Sequence, residues 1–362
     1  MILFLFFFAL LLVGCDGGGV RQVVSPNTGQ TPLPTESNGT DAIDWTARLI
    51  TPLPLKDVVW DGQVFVAVGY GGTVLTSVDG IDWVAQEPVS DDPLLAVTAF
   101  GSDIYAVGGS GVLLSTDHGE TWTVKAHPDF FIGTEVAANS SQIVVIGTVP
   151  DLGLPRITIS EDHGETWQTS SVLYLDTDTG EVLWDTIFDP VWDAGKVLWR
   201  NGERLIYRDG FFITTSGPTV MVSTDGKQWD EIVVCEEGTG LNGIIAYDDS
   251  QFFVASDDGT IYSSFDLFNW TELSRPLEDV DYSGWAWNGT QLILAGRVSS
   301  RQNRYDGTYR PIGISSIDGG ASWDVFGIDS SYDSRGVAWG NGRFVSVGVS
   351  LLSDEGVIYT TD

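Results

Sequence analysis

The chain has 362 residues, with 17 Lys and Arg against 50 Asp and Glu, which gives a formal net charge of −33. This charge argues against binding to nucleic acid or to anionic lipid headgroups, because both would be repelled. Hydrophobic residues make up 43% of the chain and include 14 Trp, so it is too apolar for a disordered acidic polymer and predicts a large core.

Residues 1–14 predict a signal peptide. The run 2–13 is apolar throughout, but at roughly 1.5 Å per residue it is too short to cross a hydrocarbon core about 30 Å thick. It leads into Leu12-Val13-Gly14-Cys15, which resembles the bacterial lipobox, in which cleavage leaves a diacylated cysteine. The resemblance implies lipidation of Cys15, although no Lys or Arg precedes that residue as the usual pattern requires. A plain or uncleaved secretory signal is the alternative.

Residues 15–40 are predicted to hold the lipidated cysteine and a flexible linker. The segment is rich in Gly, Pro, Ser, Thr and Asn and has no periodic apolar pattern. Cys235 is the only cysteine besides Cys15. If Cys15 is lipidated, the mature chain therefore has no pair of cysteines for an intramolecular disulfide. We expect a protein of the bacterial cell envelope, lipid-anchored on the periplasmic or cell-surface side.

One motif recurs six times downstream, as Ser-x-Asp followed by a short turn and Trp. An Asp at this place accepts the backbone N–H groups of a tight turn, and the Trp covers that turn. The copies resemble the Asp-box, or bacterial neuraminidase repeat, and we interpret them as structural. Their Asp and Trp residues are Asp79 and Trp83, Asp117 and Trp122, Asp162 and Trp167, Asp225 and Trp229, Asp266 and Trp270, and Asp318 and Trp323.

Seven hairpin patterns alternate with these boxes. Each has two runs of β-branched and aromatic residues separated by a polar turn, and they lie at 58–69, 97–109, 136–147, 205–217, 244–256, 285–296 and 337–348. Each unit supplies four antiparallel strands once the strands around the box are added. Seven such units predict an all-β, seven-bladed propeller over residues 41–362.

The seventh unit is incomplete, because the chain ends where its box begins. Asp41-Ala42-Ile43-Asp44-Trp45 matches Asp79-Gly80-Ile81-Asp82-Trp83 closely. We therefore expect the segment 43–50 to form the outer strand of the last blade, with the other three strands from 336–362. Pairing the two ends closes the ring and protects a sheet edge. Unequal box spacing predicts insertions in blade four, at about 168–204, and in blade six, at about 298–311.

The sequence predicts no catalytic residues, metal site or cofactor. It has no Gly-rich phosphate loop and no Cys cluster, and only three His. The segment 176–181 is superficially like a calcium loop, but Ile187 stands where the bidentate acid belongs, which favours a hairpin turn.

Asp-box propellers include sialidases, some endoglucanases, sortilin-type receptor domains and photosystem II assembly and stability factors. The resemblance implies that the boxes lie on the face opposite the ligand site. It also leaves a glycoside hydrolase of sialidase type as an alternative function, which would need three arginines, a Tyr nucleophile with a Glu, and an acid/base Asp. Tyr309-Arg310-Pro311-Ile312 is only a permuted match to the Phe/Tyr-Arg-Ile-Pro motif of sialidases.

The function that we prefer is that of a membrane-tethered binding or assembly scaffold. It would dock a protein or glycan partner on its loop face, as a monomer, without nucleic acid and with membrane contact only through the lipid. Nine arginines are predicted in loops of that face: Arg156, Arg200, Arg204, Arg275, Arg297, Arg301, Arg304, Arg310 and Arg335. They could hold an anionic group, or they could be neutralised by acids such as Asp279, Asp281, Asp306 and Asp333.

The blade-six insertion is the preferred docking loop, because long loops on rigid scaffolds are often functional. Arg and Tyr are also over-represented among interface hot spots. The candidate partner-binding residues are Arg297, Arg301, Arg304, Tyr305, Tyr309, Arg310 and Arg335, with Trp184 and Trp192 of the blade-four insertion as further candidates.

Overall fold

The computed structural model describes residues 43–109, 111–125, 131–149, 154–169, 174–175, 182–183, 204–236, 239–278, 280–298, 310–329 and 331–361. These residues form seven four-stranded antiparallel sheets and one separate two-stranded sheet. Each four-stranded sheet contacts the next in chain order, and the last contacts the first. The predicted seven-bladed propeller is confirmed. Within the described residues, no helix has the length and apolar character needed to cross a membrane.

The first strand, β1 (Trp45–Thr51), belongs to the last blade, and the next twelve strands form blades 1 to 3. Blade 1 contains β2 (Leu55–Trp60), β3 (Phe65–Gly69), β4 (Val74–Ser77) and β5 (Val84–Ala85), with a 3-10 turn at Tyr70–Gly72. Blade 2 contains β6 (Leu94–Phe100), β7 (Asp103–Gly108), β8 (Gly111–Ser115) and β9 (Thr123–Lys125). Blade 3 contains β10 (Ile132–Ala138), β11 (Ile143–Val149), β12 (Leu154–Ser160) and β13 (Gln168–Thr169).

The separate sheet and blades 4 to 6 follow. The separate sheet pairs β14 (Tyr174–Leu175) with β15 (Val182–Leu183). Blade 4 contains β16 (Ile206–Arg208), β17 (Phe211–Ser216), β18 (Thr219–Ser223) and β19 (Asp230–Val233). Blade 5 contains β20 (Leu241–Tyr247), β21 (Phe252–Ser256), β22 (Ile261–Ser264) and β23 (Thr271–Ser274). Blade 6 contains β24 (Val280–Trp287), β25 (Leu292–Val298), β26 (Arg310–Ser316) and β27 (Asp324–Phe326).

Blade 7 joins both ends of the propeller. It contains β28 (Tyr332–Gly340), β29 (Arg343–Ser350) and β30 (Gly356–Thr361), and β1 is its outermost strand. β1 runs antiparallel to β30, from the pair Trp45 and Thr361 to the pair Thr51 and Gly356. This is the closure that the sequence led us to expect, but the outer strand begins at Trp45 rather than at 43. The inner strand begins at Tyr332 rather than at 336.

The two predicted insertions are shorter than expected. Gln168 and Thr169 form β13, so they belong to blade 3 and not to the blade-four insertion. In blade 6, Val298 pairs with Arg310 and Arg297 with Pro311, so the hairpin of β25 and β26 extends into the predicted loop. Arg310 therefore lies in a strand, which corrects its predicted place in a loop. The same correction applies to Arg156 in β12, Arg297 in β25 and Arg335 in β28.

The core lies between neighbouring blades. Val66 and Val68 of β3, for example, pack with Leu94, Ile104 and Leu113 of blade 2. Because an inner strand is covered by a blade on each side, all five residues of β3 are buried. Both residues of the outer strand β5 are exposed. The uninterrupted apolar runs of the hairpins follow from this two-sided burial.

The box turns have one repeated geometry, shown by the second copy. The Asp117 carboxylate accepts the Ser115 hydroxyl at 2.8 Å and the Thr121 N–H at 2.9 Å. The Ser115 hydroxyl in turn accepts the Gly119 N–H at 2.9 Å. The Trp122 indole N–H donates to the Gly119 carbonyl at 3.0 Å. Gly119 has a φ of +83°, and a Cβ there would press against Val66 of the preceding blade.

The fifth box departs from this pattern, because Leu267 stands at the glycine position. Leu267 nevertheless adopts a φ of +70° and is almost completely buried. The Trp270 indole still donates to its carbonyl, at 2.7 Å. Hydrogen bonds from the Asn269 side chain and backbone hold the pKa of Asp266 at about 2. The turn therefore forms without glycine.

The propeller has two distinct faces. The box turns lie beside the turns between first and second strands: Asn341 of the β28–β29 turn donates to the Val78 carbonyl in the first box at 3.0 Å. We call this the box face. Since the strands alternate in direction, the turns between second and third strands and the connections between blades lie on the other face, which we call the open face.

Candidate functional site

Arg204 crosses the centre of the propeller. It precedes β16 in blade 4, and its guanidinium lies 2.9 Å from the Asp57 carboxylate of blade 1. The same group donates to the Ser283 carbonyl of blade 6 at 2.8 Å and to the Arg335 carbonyl of blade 7 at 2.6 Å. Its backbone N–H donates to the Gly243 carbonyl of blade 5 at 2.7 Å. Blade 4 lies opposite blades 7 and 1 in a seven-membered ring, so the side chain spans the central channel.

Two acids share this arginine. Asp57 is 5% exposed, and its second oxygen accepts the Val97 N–H of blade 2 at 3.0 Å. Glu135 of blade 3 accepts the Leu205 N–H; burial and the Asp57 charge raise its pKa to about 8, although Arg204 acts to lower it. Burial opposes the charge of Arg204, but Asp57 and Glu135 outweigh this effect and raise its pKa. We call Asp57, Glu135 and Arg204 the central cluster, and its contacts reach all seven blades.

β-bulges in the inner strands present the acceptors to this cluster. The register shifts between Tyr282 and Gly284 in β24 and between Ser334 and Gly336 in β28. A bulge leaves one residue outside the ladder. The extra residues, Ser283 and Arg335, are the ones whose carbonyls accept from Arg204. Corresponding register shifts lie directly before the two acids, between Leu55 and Asp57 in β2 and between Gly133 and Glu135 in β10.

The raised pKa of Glu135 predicts a pH-dependent stability. Between its ordinary value of 4.5 and its native value of about 8, the native state holds a proton that the unfolded chain releases. The free energy of unfolding should therefore fall by about 3 kcal/mol more in the wild type than in Glu135→Gln as pH rises from about 6 to about 9. Urea unfolding of both proteins across this range measures the difference. Parallel curves would contradict the assignment.

Ion pairs join blades 6 and 7 on the open face. The Arg297 guanidinium donates to Asp281 at 3.0 Å and to Asp333 at 3.3 Å. The Arg335 guanidinium lies 2.5 Å from the same Asp333 oxygen. Asp333 is almost completely buried, so its carboxylate interacts with the two arginines rather than with solvent.

A pocket of about 300 Å³ lies beside Arg335, at the seam between blades 7 and 1. We call it the seam pocket. Leu53, Lys56 and Tyr70 line it from the blade-1 side, and Arg335, Val349 and Asp354 line it from blade 7. The Lys56 ammonium lies over the Tyr70 ring, 4.9 Å from its centroid.

The structure brings together two of the predicted partner-binding residues, Arg297 and Arg335, through Asp333. Arg275, another of the predicted loop arginines, pairs with Asp258. Arg204 was expected in a surface loop, but it is enclosed in the central cluster, because its partners come from inner strands. The candidates that lie outside the described residues are Arg301, Arg304, Tyr305, Tyr309, Trp184, Trp192 and Cys15.

The sequence analysis missed Lys56, Asp57, Tyr70 and Glu135. A signal was present for three of them, since Lys56, Asp57 and Glu135 interrupt apolar inner strands. A charge inside such a strand must find a partner or face water.

Two further observations concern metal ligands and tyrosine nucleophiles in the part of the chain that the structure describes. There, no group of three or more His, Cys, Asp or Glu side chains could hold a metal ion. Burial raises the pKa of the phenols of Tyr282 and Tyr332 far above 10. A nucleophilic Tyr would need the opposite shift.

Solved structures similar to this chain include propellers of different activities. A structure of YCF48 bound to D1 peptide has a TM-score of 0.61 and 18% identity, over 89% of this chain and 97% of that one. A streptogramin B lyase has a TM-score of 0.62 and 10% identity, over 89% and 98%. Virginiamycin B lyase from Staphylococcus aureus has a TM-score of 0.60 and 10% identity, over 88% and 100%. No protein-family model and no curated protein matches the chain. At these identities the likeness shows the fold alone.

Proposed function

We propose that the chain is a binding propeller that docks a protein partner on its open face and is tethered to a cell-envelope membrane through Cys15. The observation that carries the proposal is the arginine across the central channel. Arg204 is bonded to acceptors on four other blades, so a largely buried ion pair lies across the axis where a small substrate would enter. Because the axis is obstructed, we expect a ligand to contact the loops and seams of the open face.

The charge distribution of the open face supports docking. In a chain with a net charge of −33, Lys56 and Arg335 line one pocket, and Arg297 shares Asp333 with Arg335. Complementary charges give a protein interface its orientation and specificity. One of the similar structures, that of YCF48, contains a bound D1 peptide.

A glycoside hydrolase of sialidase type is the second candidate, because Glu135 has the raised pKa of a general acid. Asp57, its nearest acidic neighbour in the central cluster, is ion-paired and almost completely buried. It therefore lacks access to water or to a sugar. Hydrolysis of a fluorogenic sialoside that disappears in Arg310→Ala would favour this candidate over docking.

The docking proposal predicts that Arg301→Ala combined with Arg304→Ala weakens partner capture by about 2 kcal/mol or more, as expected for interface hot spots. The melting temperature should not change, because both arginines are predicted to lie in a loop, and substitutions outside a packed core have little effect on stability. An affinity pulldown from the native envelope identifies the partner, and titration measures the loss. Arg208→Ala with Lys227→Ala removes the same charge from the box face and should leave capture unchanged. Equal capture by both double variants would place the docking site elsewhere.

A further inference from the structure

The seam pocket combines two cations with an apolar wall. Lys56 makes no ion pair with any of the described residues, and the Tyr70 ring is its cation–π partner. Arg335 shares the Asp333 charge with Arg297 and keeps about a third of its side chain exposed. Asp354 is the one acid that lines the pocket among the described residues. The cations therefore outnumber the anions on its wall.

Apolar surface continues beyond the pocket. Leu53 and Val349 line it, and Leu53 is itself 44% exposed. Leu351 and Leu352, in the same turn as Asp354, are 40% and 85% exposed. A free small carboxylate that fills about 300 Å³ would leave these rim leucines in water. A longer ligand would cover them.

We propose that the seam pocket receives an acidic residue followed by an apolar residue, within an extended segment of a protein partner. The carboxylate lies between Lys56 and Arg335, where charge-assisted hydrogen bonds are available. The apolar side chain lies against Leu53 and Val349, and the flanking segment covers Leu351 and Leu352. This inference rests on the proposed function and assigns it a second contact, in addition to the predicted docking loop of blade six.

Short fluorescein-labelled peptides test the proposal by fluorescence anisotropy with the full chain. A Ser/Gly peptide with a central Asp-Leu should bind about tenfold more tightly than its Asn-Leu and Asp-Ser counterparts. Lys56→Gln should weaken the Asp-Leu peptide about tenfold and abolish the preference for Asp over Asn. Lys227→Gln changes the same charge on the box face and should bind like the wild type. Melting curves show whether each variant is folded.

Three outcomes of the peptide measurements would overturn the inference. They are equal affinity for the Asp-Leu and Asn-Leu peptides, a preference for Asp that persists in Lys56→Gln, and competition by N-acetyl-leucine at the concentration of the peptide. The last would assign the pocket to small carboxylates. A partner captured from the envelope whose binding is unaffected by Lys56→Gln would refute this inference and leave the proposed function standing. Loss of capture in Arg301→Ala/Arg304→Ala would support the proposed function independently.

Discussion

Arg204→Met should lower the free energy of unfolding by about 3 to 5 kcal/mol, because it leaves the Asp57 charge buried without its partner. The guanidinium also holds the Ser283 and Arg335 carbonyls of two further blades. Methionine retains much of the apolar length of arginine, so the loss reports mainly on charge and hydrogen bonding. Urea unfolding of the full chain gives the measurement.

Two variants make this result specific. Arg275→Met removes an arginine that pairs with Asp258 at the surface, where it is 45% exposed, and it should cost less than about 1 kcal/mol. Adding Asp57→Asn to Arg204→Met should recover part of the stability, since the uncompensated charge is then gone. Equal losses for Arg204→Met and Arg275→Met would show that the central cluster does not hold the blades together.

Trp45→Ala should destabilise the whole propeller by about 3 to 5 kcal/mol, as truncation of a buried aromatic side chain does. Trp45 begins β1 and stacks on Phe326 of blade 6, with ring centroids 6.3 Å apart. It packs in one cluster with Phe344 and Tyr359 of blade 7. Removing it therefore weakens the contact between two blades as well as the closing strand. Thermal melts of the full chain provide the test.

Ile50→Ala is the matched control, because Ile50 lies in the same strand and is 62% exposed. It should change stability by no more than about 0.5 kcal/mol. We also expect that deleting residues 16–36 leaves the melting temperature unchanged. A melt of Trp45→Ala that coincides with the wild type would refute the importance of the closing strand.

The fold could be predicted because its signals are local and repeated. A box turn is specified within a few residues, from Ser115 to Trp122 in the second copy, and each inner hairpin consists of two apolar runs separated by a polar turn. The closing strand was also predictable, because Asp41-Ala42-Ile43-Asp44-Trp45 repeats a box found in the interior of the chain. The ends of strands were less predictable: Arg310 extends β26 because it pairs with Val298, and pairing depends on the opposite strand.

The central cluster could not be predicted in the same way. Asp57 and Arg204 are far apart in sequence, and their contact depends on the convergence of inner strands from opposite sides of a ring. The acceptors for Arg204 are backbone carbonyls at bulges, and a bulge at Ser283 or Arg335 has no fixed residue type. The seam pocket could not be predicted for the same reason, because residues of two blades distant in sequence, 1 and 7, form its wall together.

The pairing of β1 with β30 has a consequence for how the protein is made. Arg48 and Thr360, which join these strands by a hydrogen bond, are separated by 312 positions. At about 5 to 20 residues per second, a ribosome synthesises the intervening chain in roughly 15 to 60 s. β1 is therefore made well before β30, and the ring cannot close until β30 has been synthesised. Non-local pairing of this kind also slows folding. A factor that shields the open edges of β1 and blade 7 during this interval would raise the yield of closed propeller without altering its final stability.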